Sequence, residues 1–233
     1  MREWRICEAQ LLTSQRLDDL FSNRMPAIRI STFANPVECR VFANGLRQCD
    51  LRVVKGATDH SAPSLEAQKI AFIGLTQFEF KCRLIEDYLD AAEATRAEVV
   101  PVFAAAFDPV ERLMAWLRIC VDRGVAIACD TGGSVYAASI IRSSNEGLAL
   151  HADFAPYQMS QLSLSDCTSQ LAWNFYAEMP GGAGGHTVLH NSPWTWRRNR
   201  KGEVAENYSL PYSAVELRAD LHVPARRRRG GSL

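Results

Sequence analysis

No stretch of this sequence stays apolar for the roughly 20 residues that a helix needs to cross a bilayer, so a membrane-spanning reading has no support. The amino terminus, with Arg2, Trp4, Arg5 and Glu8, lacks the apolar block of a secretion signal. Net charge is also missing. The 26 basic residues balance 26 acidic ones, which leaves no bulk field to draw the chain to nucleic acid or to an acidic surface. The cysteines, at 7, 39, 49, 82, 120, 129 and 167, are odd in number and show no C-x-x-C or other metal-ligand spacing. That pattern fits a reduced, cytoplasmic protein better than a disulfide framework or a zinc module. No internal repeat is visible. What remains is ordinary globular composition over 233 residues, 47% of them apolar, enough for one large domain with a substantial core.

Helix signals dominate the first half. Asn35-Pro36-Val37-Glu38 supplies a capping residue, a proline at the first helical position and a glutamate three residues after the cap. This predicts a helix from there to about Gly45. Asp108-Pro109-Val110-Glu111 repeats the signal. Leu113, Trp116, Leu117, Cys120 and Val121 form its apolar stripe, and Gly124 is read as its stop. Between them KCRLIEDYLDAAEATRAEV, about 80 to 98, sets Cys82, Ile85, Tyr88 and Leu89 at helical spacing. MPAIRIS at 25 to 31 is read as a strand.

After Gly124 the texture changes to short apolar or alternating runs between glycine, serine and asparagine, the signature of strands. The candidates are VAIACD, SVYAASIIRSS, LALHADF, SQLAWNFYAE and GHTVLHN. Strands in succession without helices between them argue for an antiparallel sandwich or barrel. The chain is therefore read as one α+β domain. Residues 1–123 form a mainly helical layer, 124–222 the strands, and 223–233 a basic tail.

Within LALHADF, His151 and Asp153 are two apart, so on a strand they share a face and can together present an imidazole and a carboxylate to one divalent cation. The alternative is a pair of polar residues where a strand meets a turn. His151-x-Asp153 is followed by Phe154, Ala155 and Pro156, then Gln170-Leu171-x-Trp173-Asn174, the Gly184-Gly185 pair, Asn191 and Trp194. This ordered set, with IGLTQFEFK at 73 to 81 as the entry to a helical layer, resembles bacterial Fe(II)- and 2-oxoglutarate-dependent oxygenases of the prolyl-hydroxylase-like superfamily. Free amino-acid hydroxylases and carrier-independent halogenases belong to that group.

The resemblance, over about two thirds of the chain, implies a double-stranded β-helix, or jelly roll, flanked by helices. It implies Fe(II) and 2-oxoglutarate as cofactors, molecular oxygen and a small molecule as substrates, and hydroxylation as the reaction, with His151 and Asp153 as metal ligands. An aspartate at 153 disfavours halogenation, because the halogenases lack a carboxylate ligand there.

The family's distal histidine and its 2-oxoglutarate-pairing basic residue are expected on strands that begin about where this chain ends. The last strands of the jelly roll are accordingly expected to be missing, and the bared sheet edges to be covered by another chain or a loop. His222, in ADLHVPAR, is the candidate third metal ligand; otherwise it is a surface residue. His186 and His190, four apart on one strand, share a face and are read as exposed strand polars.

Arg142 is placed on a common face with Tyr136, either holding a carboxylate of substrate or cofactor by a bidentate pair or lying on the surface beside Glu146. Asn174 is a candidate hydrogen-bonding partner of the co-substrate, with Trp173 in the core and Trp194 and Trp196 as a plug. A catalytically inactive relative that keeps the scaffold is the competing reading. A third reading takes Arg197, Arg198, Arg200, Lys201 and Arg226 to Arg229 as an anion- or nucleic-acid-binding patch. Neutral overall charge and the lack of a nucleic-acid motif disfavour it.

Overall fold

The computed structural model describes residues 5–49, 52–53, 71–75, 85–143, 155–158, 161–179, 186–190 and 220–223. For 52–53, 157–158 and 220–223 it describes the backbone alone. Strand β1 (Cys7–Ala9) pairs in parallel with β2 (Ile28–Ile30), and helix α1 (Ser14–Phe21) makes the crossover between them. Thr13 caps α1 by accepting from Arg16 N. The Ser14 hydroxyl donates to the Cys120 carbonyl at 2.6 Å, which fixes the start of α1 against the end of a later helix.

Helix α2 (Pro36–Arg47) starts where its signal places it. The Asn35 side chain accepts from Val37 N and Glu38 N, both at 2.9 Å, and Glu38 reaches back to Asn35 N at 2.8 Å. Such a cap satisfies amide groups that the helix itself leaves orphaned. The expected stop at Gly45 does not occur, since the helix runs on to Arg47. A Cβ at Gly45 would lie 3.7 Å from the Ala105 Cβ, so this glycine sits at a close approach between helices.

Helix α3 (Ile85–Ala105) also outruns its predicted end near 98 and carries Pro101 inside it. A proline there removes one backbone bond. Burial of Val99 and Val102 on either side supplies apolar packing that offsets the loss. Helix α4 (Pro109–Cys120) has Asp108 as its cap, accepting from Val110 N and Glu111 N. It ends at Cys120, where Val121 turns into β conformation, and Gly124 has no part in the stop.

Two packed centres result. In the first, Phe33 and Phe42 are buried amid the rings of Phe103, Phe107, Trp116, Trp173 and Phe175, with centroids 5.2 to 6.2 Å apart. Edge-on aromatic pairs at such spacing add about 0.5–1.5 kcal/mol each beyond burial. In the second, Leu75, Tyr88, Ala92, Tyr136 and Leu162 close together.

A three-stranded antiparallel sheet joins β3 (Arg52–Val53), β4 (Ala71–Gly74) and β5 (Ile140–Ser143) in that order. Ala71 to Gly74 thus form a strand, where the sequence reading has helical-layer entry. Gly74 is needed for its geometry. Its φ is +114°, and a Cβ would sit 2.7 Å from the Ser139 carbonyl oxygen. Helix α5 (Ala155–Gln158) is one turn long, and a 3-10 turn spans Ser163–Asp166. Strand β6 (Thr187–His190) pairs antiparallel with β7 (Asp220–Val223).

The strand expectations fare unevenly. GHTVLHN contains β6, but SVYAASIIRSS yields only β5 at its end. VAIACD makes no strand beyond an isolated bridge from Cys129 to Val135, and SQLAWNFYAE makes none. LALHADF lies outside the described residues. Among the described residues the largest sheet has three strands.

Candidate functional site

His151 and Asp153, the centre of the sequence reading, lie outside the described residues. Their described neighbours are Ser143 at the end of β5 and Ala155 at the start of α5. Ala155 N donates to Oε1 of Gln170 at 2.8 Å, so the segment just after 153 is tied to the stretch that carries Asn174. Of the two proposed cofactor contacts, Arg142 is exposed on β5, where it stands opposite Phe72. Asn174 is exposed as well.

Arg142 and Tyr136 do not share a strand face. Tyr136 lies before β5 and is buried in the core, where its hydroxyl meets the Ser163 hydroxyl at 2.8 Å and accepts from Ser163 N at 3.1 Å. The Ser163 hydroxyl in turn donates to the Cys129 carbonyl at 2.9 Å. Alternation of side chains failed as a guide here because the backbone between 136 and 140 is not a regular strand.

Residues 170–178 pass along α2 as a strap rather than as a strand. Trp173 meets Phe33 edge-on at 5.5 Å, Phe175 meets Phe42 at 5.4 Å, and Glu178 pairs with Arg47 at the far end of the helix. Trp173 is nonetheless 39% exposed, so its expected place in the core is only partly taken up. Tyr176, between them, bonds through its hydroxyl to that of Thr187 at 2.7 Å and so anchors β6.

Among the described residues the best-connected charged group is Arg112, which the sequence reading missed. Its guanidinium lies 3.7 Å above the Phe107 ring, donates to the Phe33 carbonyl at 2.7 Å and forks onto Glu38 at 2.7 and 3.2 Å. Hydrogen bonding from Arg112, and then from Asn35 N, holds the Glu38 carboxyl below its ordinary range. The available signal was the shared arrangement of the two helix starts. Glu38 is three residues after one cap and Arg112 four after the other. With every partner protein-borne, the pair is a structural clasp.

Cys120 is buried, and that burial pushes its thiol upward. Among residues with described side chains, no group of three or more His, Cys, Asp or Glu could hold a metal, so the described residues do not themselves supply a ligand set for iron. His186 is exposed and His190 half-buried on β6. His222 is on β7, opposite Val188. Trp194, Trp196, Arg197, Arg198, Arg200, Lys201 and Arg226 to Arg229 lie outside the described residues. Among the described residues, no helix is long and apolar enough to cross a membrane.

No protein-family model matches the chain. No solved structure matches it either. It is similar to the leucinostatins biosynthesis cluster protein S of Purpureocillium lilacinum, with 23% identity over 150 residues. The match covers 63% of this chain and 61% of that protein, so the chain spans about three fifths of its relative's length. By sequence the chain is thus a distant relative of a biosynthesis-cluster protein.

Proposed function

We propose that the chain acts on small molecules as a tailoring enzyme, an Fe(II)- and 2-oxoglutarate-dependent dioxygenase that hydroxylates a compound such as a free amino acid. A jelly roll completed by residues beyond the described ones, with His151 and Asp153 as metal ligands and His222 as the third, is part of that proposal. The observation that carries it is the similarity to a protein named for a biosynthesis cluster, where modification of small molecules is the common task. The ordered sequence motifs around His151-x-Asp153 narrow the chemistry. When bound, ferrous iron and 2-oxoglutarate would supply an oxidant able to attack an unactivated carbon.

The protein's own share is binding and orientation. Asn174 follows the Gln170 anchor by four residues, and the bond from Ala155 N to Gln170 holds that stretch next to the residues following Asp153. An exposed Arg142 suits a substrate carboxylate arriving from solvent better than a sequestered cofactor. The same exposure of Arg142 and Asn174 favours a second reading, a relative that retains the scaffold without catalysis.

Anaerobic titration with Fe(II) and 2-oxoglutarate, followed by oxygen and a panel of amino acids, separates the two. One tight iron site, succinate formed with oxygen uptake, and loss of both in His151→Ala and Asp153→Ala are expected. A wild-type chain that binds no iron and forms no succinate would refute the oxygenase and leave the non-catalytic relative.

A further inference from the structure

Residues 170–178 pass along α2, and they are held there in a different way from the helix itself. Among the described residues, no hydrogen bond between backbone groups joins this strap to another element. Its contacts are made by side chains. Trp173 meets the Phe33 ring at 5.5 Å yet stays 39% exposed. Phe175 is the central contact, its ring 5.4 to 5.6 Å from those of Phe33, Phe42 and Phe107. Glu178 pairs with Arg47, but both side chains are more than half exposed, so solvent and salt weaken that pair. Helix α2 has its own backbone ladder, its Asn35 cap, the approach of Gly45 to Ala105 and the Glu38–Arg112 pair, none of which involves the strap.

Two side-chain ties lead from the strap to other parts of the chain. Gln170 Oε1 accepts from Ala155 N at 2.8 Å, and the Tyr176 hydroxyl meets the Thr187 hydroxyl at 2.7 Å.

We propose that residues 170–178 form a lid over the Phe33–Phe42 aromatic centre, which lifts as one unit while α2 stays folded. Phe175 is its rivet, and the Arg47–Glu178 pair is its outer latch. A segment with few apolar contacts and no ladder opens at a lower free energy than the packed helices beside it. Lifting takes the Phe175 ring away from Phe33, Phe42 and Phe107. Because Gln170 and Tyr176 belong to the lid, the same opening releases Ala155 at the start of α5 and Thr187 on β6 together. The lid carries Asn174, but this inference needs neither iron nor 2-oxoglutarate and does not depend on the oxygenase reading.

The Ala155 amide reports the lid, because its acceptor is the Gln170 side chain. The test is native-state amide exchange of the isotope-labelled full chain, read by NMR across low urea concentrations, with the Phe42 and Ala43 amides as reporters of α2. In the wild type, Ala155 should be protected, less strongly than Phe42 and Ala43. Its rate should hardly respond to low urea, since lid opening exposes little surface, whereas the α2 amides should respond steeply. Three changes that touch neither Ala155 nor Gln170 should each speed exchange at Ala155. Phe175→Leu should do so by about tenfold, Tyr176→Phe by about threefold and Glu178→Gln by about twofold. Where Phe175→Leu does not fold, the two surface variants decide.

An Ala155 rate indifferent to the changes at 175, 176 and 178 would overturn the lid, since Gln170 would then be releasing Ala155 by itself. Protection and urea response at Ala155 equal to those of Phe42 and Ala43 would overturn it too, because the strap would then open only when the helix unfolds. An unprotected Ala155 amide in the wild type would do the same. Failure of the oxygenase reading shows separately, as the absence of succinate in the wild type.

Discussion

Helix α2 and the strap at 170–178 lie side by side, and their sequences advertise themselves in opposite ways. The helix is announced by its cap, whose bonds fall within four residues of one another. In the strap, exposure alternates from Asn174 to Glu178, which gives it a covered side like a strand, yet among the described residues it pairs with nothing as a ladder. Trp173 and Phe175 point to the same aromatic cluster, as side chains two apart should. Alternation reports that one side is covered. It does not report whether the backbone edge has found a partner, which depends on residues distant in sequence.

The largest effect that could break this contrast is at Phe42, only 2% exposed and ringed by Phe103, Phe107 and Phe175. Phe42→Ala should cost about 3–5 kcal/mol in urea unfolding. A loss under about 1 kcal/mol would mean that the helices do not close on this centre.

Gly74→Ala comes next and probes a true ladder instead of a strap. Strain at positive φ together with the approach to Ser139 and Ile140 should cost about 2–3 kcal/mol. Amide exchange should accelerate across Ala71–Gly74 and Ile140–Ser143 while α2 keeps its protection. Unchanged exchange in both strands would count against the β4–β5 pairing.

Phe175→Ala sharpens the comparison from the strap side. The ring is half-buried, so about 2 kcal/mol is expected, below the value at Phe42. A double-mutant cycle with Phe42→Ala should give clear coupling, because the two rings touch. Strict additivity would mean the strap is not docked there.

The smallest effect is the pH dependence at the clasp between α2 and α4. Glu38 has a folded-state value below the ordinary 4.5, so its contribution is present above that pH and is lost as pH falls through the depressed folded value. Both side chains of the pair remain about a quarter exposed, which limits the contribution to about 1 kcal/mol. Unfolding titrations of wild type and Glu38→Gln should diverge above pH 4.5 and converge in stronger acid. Parallel curves throughout would show that the Arg112 contact adds nothing.

The starts of α2 and α4 were legible because a cap, a proline and an acidic first turn act within one helical turn. Their ends were not. Gly45 was read as a stop, but the close approach of Ala105 gives that glycine a packing role inside the helix. Helix α3 runs past its expected end near 98 and through Pro101, with burial on both sides of the proline. Strand β6 shows the same division. His190 was recognisable as a strand residue, whereas its place opposite Asp220 follows from a pairing made across residues 191–219.

The sequence by itself determined where helices begin, which residues carry an apolar face, and that none of its apolar runs is long enough for a helical membrane span, because capping, periodicity and run length are local properties. Tertiary structure alone decided which alternating stretches became ladders and which became straps, where Arg112 found Glu38, and which strand came to lie beside His190. Those outcomes turn on contacts between residues tens of positions apart, and nothing in a short window encodes its distant partner.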